Sequence, residues 1–244
     1  MKISLDDRVL ITGGSGLVGT ALINHLNKKG FSNIYYPRSS DYNLIDSKET
    51  SKMYNEIKPD MVFHLAGFVK GIMGNKKYKG ESFYKNLMID TNAVHYAKEF
   101  NCKKIVAMGS GCVYPFPTKN KVLDESIIWM GAPHNSEDSY AHAKRAMLAQ
   151  LTAYKEQYQL SYCFAISPNL FGPNDLFDID DGHVIPSLVK KFYHASINNS
   201  NVEVWGDGSA ERDFLYSKDI ARSLLILMEQ LEGPVNLGSG NVFS

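Results

Sequence analysis

The sequence predicts an α/β protein, a parallel sheet wound with helices on both faces. Two observations carry that expectation. Short apolar runs recur along the chain, and stretches with helical spacing alternate with them, the pattern of successive βα units. The first of those runs, Val9-Leu10-Ile11-Thr12, leads straight into a cluster of glycines. The 244 residues suffice for one large α/β domain or one and a half smaller ones.

Arg8 to Thr12 reads as a buried parallel strand. Gly13-Gly14-Ser15-Gly16-Leu17-Val18-Gly19 follows, and Thr20 to Leu26 has the apolar spacing of a helix. Both Gly14-x-Gly16-x-x-Gly19 and Gly13-x-x-Gly16-x-x-Gly19 fit the turn that lets backbone approach a pyrophosphate at a helix N-terminus. A Rossmann-type, doubly wound dinucleotide-binding sheet is therefore expected. The second strand, Asn33 to Tyr36, ends at Pro37-Arg38-Ser39-Ser40, where an NAD site usually carries an acid. Arg38 and Ser39 suit a 2′-phosphate, which favours NADP over NAD, although Asp41 lies close by.

Asp60 to Gly67 reads as a third strand ending in the small residues Ala66 and Gly67, with His64 as a packed strand histidine. Gly71 to Gly80 reads as a Gly/Lys-rich surface loop, and Glu81 to Phe100 as a long helix carrying Asn86 and Asn92. The fourth strand, Lys104 to Gly109, delivers Ser110 and Cys112 to a carboxyl end, where ligands of open parallel sheets bind. A loop of turn formers leads from Pro115 to Ser139. Tyr162 to Ile166 is a fifth strand, ending in Ser167-Pro168-Asn169-Leu170. Beyond it His183 opens a helix, 201–208 reads as a strand and turn, Asp219 caps the helix Ile220 to Gln230, and Pro234 to Gly238 is a last strand. Residues 1–168 form the expected nucleotide-binding domain. Residues 169–244 form a smaller substrate-binding region, of which 213–240 returns to the first domain. With no helix after the Gly238-Ser239-Gly240 turn, the chain reads as cut short at Ser244.

Composition narrows the function. Lys and Arg total 26 and balance 26 Asp and Glu, so nothing draws the chain to nucleic acid or to an anionic membrane surface. No apolar run is long enough to span a bilayer. The three cysteines, Cys102, Cys112 and Cys163, are too scattered for a disulfide framework, no metal-ligand cluster is evident, and the N-terminus lacks a signal-peptide core. A cytoplasmic protein is expected.

Tyr140-Ala141-His142-Ala143-Lys144 carries the chemistry. Residues four apart share a helix face, so the phenol and the ammonium can meet in one pocket. The ammonium is expected to lower the phenol pKa and prepare it to exchange a proton with a carbonyl or an alcohol.

Thr12 to Gly19, Ser110 and Tyr140-x-x-x-Lys144 together resemble the extended short-chain dehydrogenase/reductases. Within them, Gly109-Ser110-Gly111-Cys112-Val113-Tyr114-Pro115, Asn169 to Asp175, His183 to Phe192 and Val204 to Leu215 resemble the GDP-L-fucose synthases. The resemblance covers nearly the whole chain. It implies an NADPH-dependent epimerase-reductase acting on a GDP-linked 4-keto sugar, and a homodimer formed through the helices near 85–100 and 140–155. Cys112 and His183 would move protons at C3 and C5, as thiolate and imidazolium, and Ser110 and Tyr140 would hold the enolate oxygen. Lys144 would hold the nicotinamide ribose. The resemblance adds Leu65, Ala66, Gly67, Met108, Ser167, Asn169, Leu170 and His183 to the glycine turn, Arg38 and Ser39 as cofactor contacts. For the substrate it implies Ser110, Asn169, Val184, Lys191, Trp205 and Arg212. Ser15 and Lys191 stand where arginines are frequent in this group. A C4 reductase acting on a related GDP-keto sugar such as a heptose is the alternative, and a non-enzymatic NADP-binding regulator is a second.

Overall fold

The computed structural model describes residues 3–118, 122–179, 182–204 and 206–244. β1 (Val9–Thr12) is wholly buried, and α1 (Leu17–Lys28) starts within the glycine cluster. β2 (Ile34–Tyr35) is short, and α2 (Ser47–Ile57) follows it. The sequence reading did not include α2, although its signals are there. The Asp46 carboxylate caps its start, accepting from Lys48 N at 2.7 Å and Glu49 N at 3.2 Å. Thr50, Met53, Tyr54 and Ile57 repeat its buried face at helical spacing.

β3 (Met61–His64) is buried throughout. The expected loop from Gly71 to Gly80 contains α3 (Ile72–Lys77) and the first turn of α4 (Lys79–Glu99). β4 (Lys104–Ser110) leads into a short 3-10 turn, Gly111–Val113, and a second such turn, Glu125–Trp129, interrupts the loop before α5 (Asp138–Tyr158). β5 (Tyr162–Ser167) and β6 (Asn169–Phe171) are separated only by Pro168, and α6 (Val184–Asn198) buries only Pro186. The strand expected within 201–208 is absent among the described residues, where 201–204 is irregular. β7 (Phe214–Tyr216) runs directly into α7 (Ser217–Gln230), so Asp219 lies in the first helical turn and Tyr216 holds the cap position. The chain closes with β8 (Gly233–Asn236).

Six strands form one parallel sheet in the order β2-β1-β3-β4-β5-β8, and β6 and β7 form a separate parallel pair. Side chains alternate across the sheet as the pleat requires. Val9, Ile11 and Val106 face Leu22 and Leu26 of α1 and Leu224 and Met228 of α7. Leu10, Val62 and Ile105 face Met53 and Tyr54 of α2, Val94 of α4 and Leu151 of α5. With both faces covered, the strands read as continuous apolar runs.

A buried lysine ties the far end of this sheet to α7. Lys104, 1% exposed, donates its ammonium to Leu227 O at 2.7 Å and to Leu231 O at the C-terminal end of the helix. Lys104→Met is expected to lower unfolding free energy by about 1–3 kcal/mol, read from a urea melt. An unchanged midpoint would show that these carbonyls find other partners.

Candidate active site

The glycine turn is built by close backbone approach. Gly13 has φ +73°, and a Cβ there would lie 2.7 Å from Ala66 N. At Gly14 a Cβ would lie 2.5 Å from Tyr36 Cβ, and at Gly19 only 2.3 Å from Gly13 O. Side chains would therefore drive α1 away from the turn. Gly16 occupies the helix cap with no side chain bonded there. Ser15 and Gly16 are exposed, and Leu17 and Val18 are partly buried beside them. A helix start of this kind presents backbone donors and the positive end of a dipole to an anion. Arg38 and Ser39 are exposed beyond β2. Asp41 accepts from Arg38 N at 2.8 Å, so its carboxylate closes the turn that presents Arg38.

Beyond β3, Leu65 and Ala66 are partly buried and Gly67 is open to solvent. Asn86 of α4 clamps that segment, accepting from Phe68 N at 2.8 Å and donating to Phe68 O at 3.0 Å. His64 is fully buried, as a packed strand histidine would be, and it is also a link in a polar chain. Its Nδ1 lies 2.8 Å from Thr12 Oγ1, its Nε2 lies 2.9 Å from Asp90 Oδ1, and Lys144 Nζ donates to that same oxygen at 3.0 Å. Lys144 also borders the cofactor side, since a Cβ on Gly67 would come within 3.9 Å of Nζ.

Ser110, Cys112, Tyr140 and Lys144 gather around the ends of β4 and β5. Ser110 pairs in register with Ser167, and its Oγ accepts from Cys112 N at 3.4 Å. Ser167 Oγ donates to Gly109 O at 3.2 Å, and Met108 is partly buried beside it. Arg145 of α5, 6% exposed, pins the turn by donating to Val113 O at 2.7 Å and to Gly131 O at 2.8 Å. Lys144 Nζ stands 5.7 Å from the centre of the Tyr140 ring.

Two expectations about protonation are reversed. Tyr140 is held well above the usual phenol range, first by burial and then by the charges of Cys112, Asp90 and Glu137. Lys144 is not among the charges acting on it, and its ammonium is paired with Asp90. The Cys112 thiol is pushed up to about 12 by burial, which outweighs the hydrogen bond from Ser110 and the charge of Lys144. His183 is not among the charges acting on that thiol. Its half-exposed imidazole faces Asp175, Nδ1 to Oδ1 3.9 Å. Cys112 is therefore a resting thiol and not the expected thiolate.

The other expected contacts are dispersed along the smaller region. Asn169 opens β6 and donates its side-chain amide to Asp213 O at 3.3 Å, while Leu170 packs against the core. Val184 is exposed at the start of α6. Lys191 Nζ reaches Glu203 O at 3.1 Å. Arg212 is exposed, and its backbone pairs with Phe243, 2.8 and 2.9 Å. Trp205 lies outside the described residues. Sequence reasoning missed Asp90 and Arg145. Arg145 is a charged residue within an apolar helix face, and that placement was the available signal; Asp90 continues a buried polar stripe from Ser82 and Asn86.

The model of the NAD dependent epimerase/dehydratase family matches residues 9–238. A GDP-L-fucose synthase from Dictyostelium discoideum is 39% identical over 92% of this chain and 70% of its own length. A solved GDP-L-fucose synthetase from Naegleria fowleri bound to NADP superposes with a TM-score of 0.91 at 33% identity, covering 99% of this chain and 79% of that one. A GDP-mannoheptose C4 reductase from Campylobacter jejuni with NADP bound gives 0.90 at 27% identity, covering 100% and 83%.

A thiol near 12 holds about 1000-fold less thiolate at neutral pH than one at the ordinary value of 9.0. Iodoacetamide should therefore modify Cys112 slowly at pH 7.5, at a rate still rising at pH 10, as followed by peptide mass mapping. A rate that levels off near pH 7 would contradict the protonation state described.

Proposed function

The chain belongs to the NAD dependent epimerase/dehydratase family, and from that premise we propose that it is an NADPH-dependent enzyme of nucleotide-sugar synthesis, epimerising and then reducing a GDP-linked 4-keto-6-deoxy-hexose. The observation that carries this reading is the position of Lys144, between the Tyr140 ring and the backbone at Gly67. It joins an acid to the edge of a dinucleotide cradle. The identity and coverage of the GDP-L-fucose synthases supply the sugar nucleotide, and the NADP in two solved relatives supplies the cofactor.

The residues present fit a dinucleotide. Cβ atoms at Gly13 and Gly19 would fill the space that backbone now occupies, one at Gly14 would meet the Tyr36 side chain, and the α1 start has no competing side-chain cap. Arg38 and Ser39 would receive the 2′-phosphate, and Lys144 the nicotinamide ribose. When bound, NADPH supplies the hydride for C4.

The chain's own groups supply the proton steps. A 4-ketone acidifies C3 and C5. Cys112, protonated at rest, is the proton donor there and His183 the acceptor, and the ketone oxygen takes the developing charge against the Ser110 and Tyr140 hydroxyls. Tyr140, held above the usual phenol range, then donates its proton to O4. Asn169, Val184, Lys191, Trp205 and Arg212 are assigned to the GDP-sugar. Exposed Phe83 and Tyr84 on α4 and Tyr158 on α5 support a homodimer through those helices.

A second reading, C4 reduction alone on a GDP-linked 4-keto heptose, is favoured by one observation: the His183 imidazole bears on Asp175 and not on Cys112. The heptose C4 reductase relative is consistent with it. A regulator without catalysis would have no use for Ser110, Tyr140 and Lys144 together.

Tyr140→Phe is expected to lower kcat/KM for keto-sugar reduction by about 100- to 10,000-fold, followed as NADPH absorbance. Unchanged turnover would remove Tyr140 from the acid role. In deuterated water the product should carry deuterium at C3 and C5. Reduced product with protium at both positions would select the second reading.

A further inference from the structure

Asp213 joins three separate segments at the seam between the two-stranded pair and the large sheet. Both of its carboxylate oxygens receive Ser239 N at 3.1 Å, and Oδ1 also receives the Ser239 hydroxyl at 2.7 Å. Ser239 lies in the bend that leaves β8, the edge strand of the six-stranded sheet. The same hydroxyl accepts from Asn241 N at 3.1 Å, so the bend is folded around this contact. The approach is close enough to need glycine, since a Cβ on Gly238 would lie 2.6 Å from Asp213 Oδ2. The Asp213 carbonyl accepts from Asn169 N at 3.2 Å and from Asn169 Nδ2 at 3.3 Å, at the start of β6. One residue earlier, Arg212 N donates to Phe243 O at 2.8 Å and Arg212 O accepts from Phe243 N at 2.9 Å. The exposed Arg212 guanidinium donates to Glu211 O at 2.8 Å, and no ion pair joins it to Asp213 among the described residues. Asp213, Ser239 and Asn169 all lie outside the two apolar cores.

We propose that Asp213 is a positioning residue for the sugar-nucleotide side of the site: its carboxylate holds the Gly238-Ser239-Gly240 bend and its carbonyl holds Asn169, so that Arg212 and Asn169 meet the substrate as one preformed edge. The assignment rests on the reading that Arg212 and Asn169 contact the GDP-sugar. Asn169 lies two residues beyond Ser167, which pairs with Ser110, so the clamp ties Arg212 to the strand ends that carry the chemistry. An arginine fork matches a diphosphate by geometry as well as by charge, and its strength depends on being held in place. Without the clamp, β6 and β7 would still pair with each other, but the ligand would have to order them against β8 on binding. That cost falls equally on the bound substrate and on the transition state, so it belongs in KM and not in kcat.

The full chain is tested by calorimetry with GDP as the probe, and by steady-state kinetics with a GDP-linked 4-keto-6-deoxy-hexose at saturating NADPH. Asp213→Asn keeps the size of the side chain but removes its charge and one of the two acceptors that face Ser239. It should weaken GDP binding about tenfold or more and raise KM to a similar extent, with kcat within about threefold of the wild type. NADPH affinity, read by fluorescence, should not move. Gly238→Ala drives a Cβ into the same carboxylate and should have the same effect. Combining the two should add little, because both break one contact. If Asp213→Asn does not fold, Ser239→Ala takes its place, and loss of the hydroxyl donor alone should weaken GDP about threefold. A merely structural role would lower the melting temperature and weaken NADPH and GDP alike, and that result overturns the proposal. A wild type that binds GDP, with folded variants that bind it equally well, refutes the role of Asp213 alone. A wild type that binds no GDP refutes the substrate reading, and the role of Asp213 with it.

Discussion

Thr12, His64 and Ala107 stand side by side on three parallel strands, and Ser110 stands beside Ser167 on the next pair. This alignment of carboxyl ends is the constraint that the site depends on. Each strand brings one element to the shared edge: the glycine turn after Thr12, the Ala66-Gly67 bend after His64, and the Ser110-Cys112 turn after β4. Helices then complete it from behind, α4 with Asp90 and Asn86, α5 with Tyr140, Lys144 and Arg145. A one-residue slip between β1 and β3 would send His64 to the opposite face and break the chain to Lys144.

Burial sets the protonation states along this edge. Desolvation by the surrounding protein is the first cause that raises the pKa of both Tyr140 and Cys112. An acid that must protonate a ketone oxygen is well served by that state. A thiol that must remove a proton is not. The Lys144 ammonium, which sequence spacing alone casts as the agent that lowers the Tyr140 pKa, is paired with Asp90 instead.

Much of the fold was legible because its signals are local. The apolar strands, the glycine turn and the four-residue spacing of Tyr140 and Lys144 need only neighbouring residues to be read. The helix 47–57 was equally local, with its Asp46 cap and its buried Thr50, Met53, Tyr54 and Ile57, but it lies in a stretch that is polar on average. The strand expected within 201–208 fails because apolar Val202 and Val204 alternate there without a neighbouring strand to pair with among the described residues. What could not be read is what depends on contact across the chain. Asp90 meets Lys144 across 54 residues and His64 across 26, and no spacing rule connects them. The protonation of Tyr140 follows from that contact and from depth, neither of which a sequence window contains.

The central claim is that this edge brings a protonated phenol and a bound dinucleotide to one carbonyl carbon. The direct test is isotope transfer. The chain is incubated with a GDP-linked 4-keto-6-deoxy-hexose and NADPH deuterated at nicotinamide C4, and the sugar product is examined by NMR. The account requires deuterium at C4 of the sugar, from whichever face of the nicotinamide ring is used. Sugar product with protium at C4 when both nicotinamide positions carry deuterium, or no consumption of the keto sugar, would contradict it.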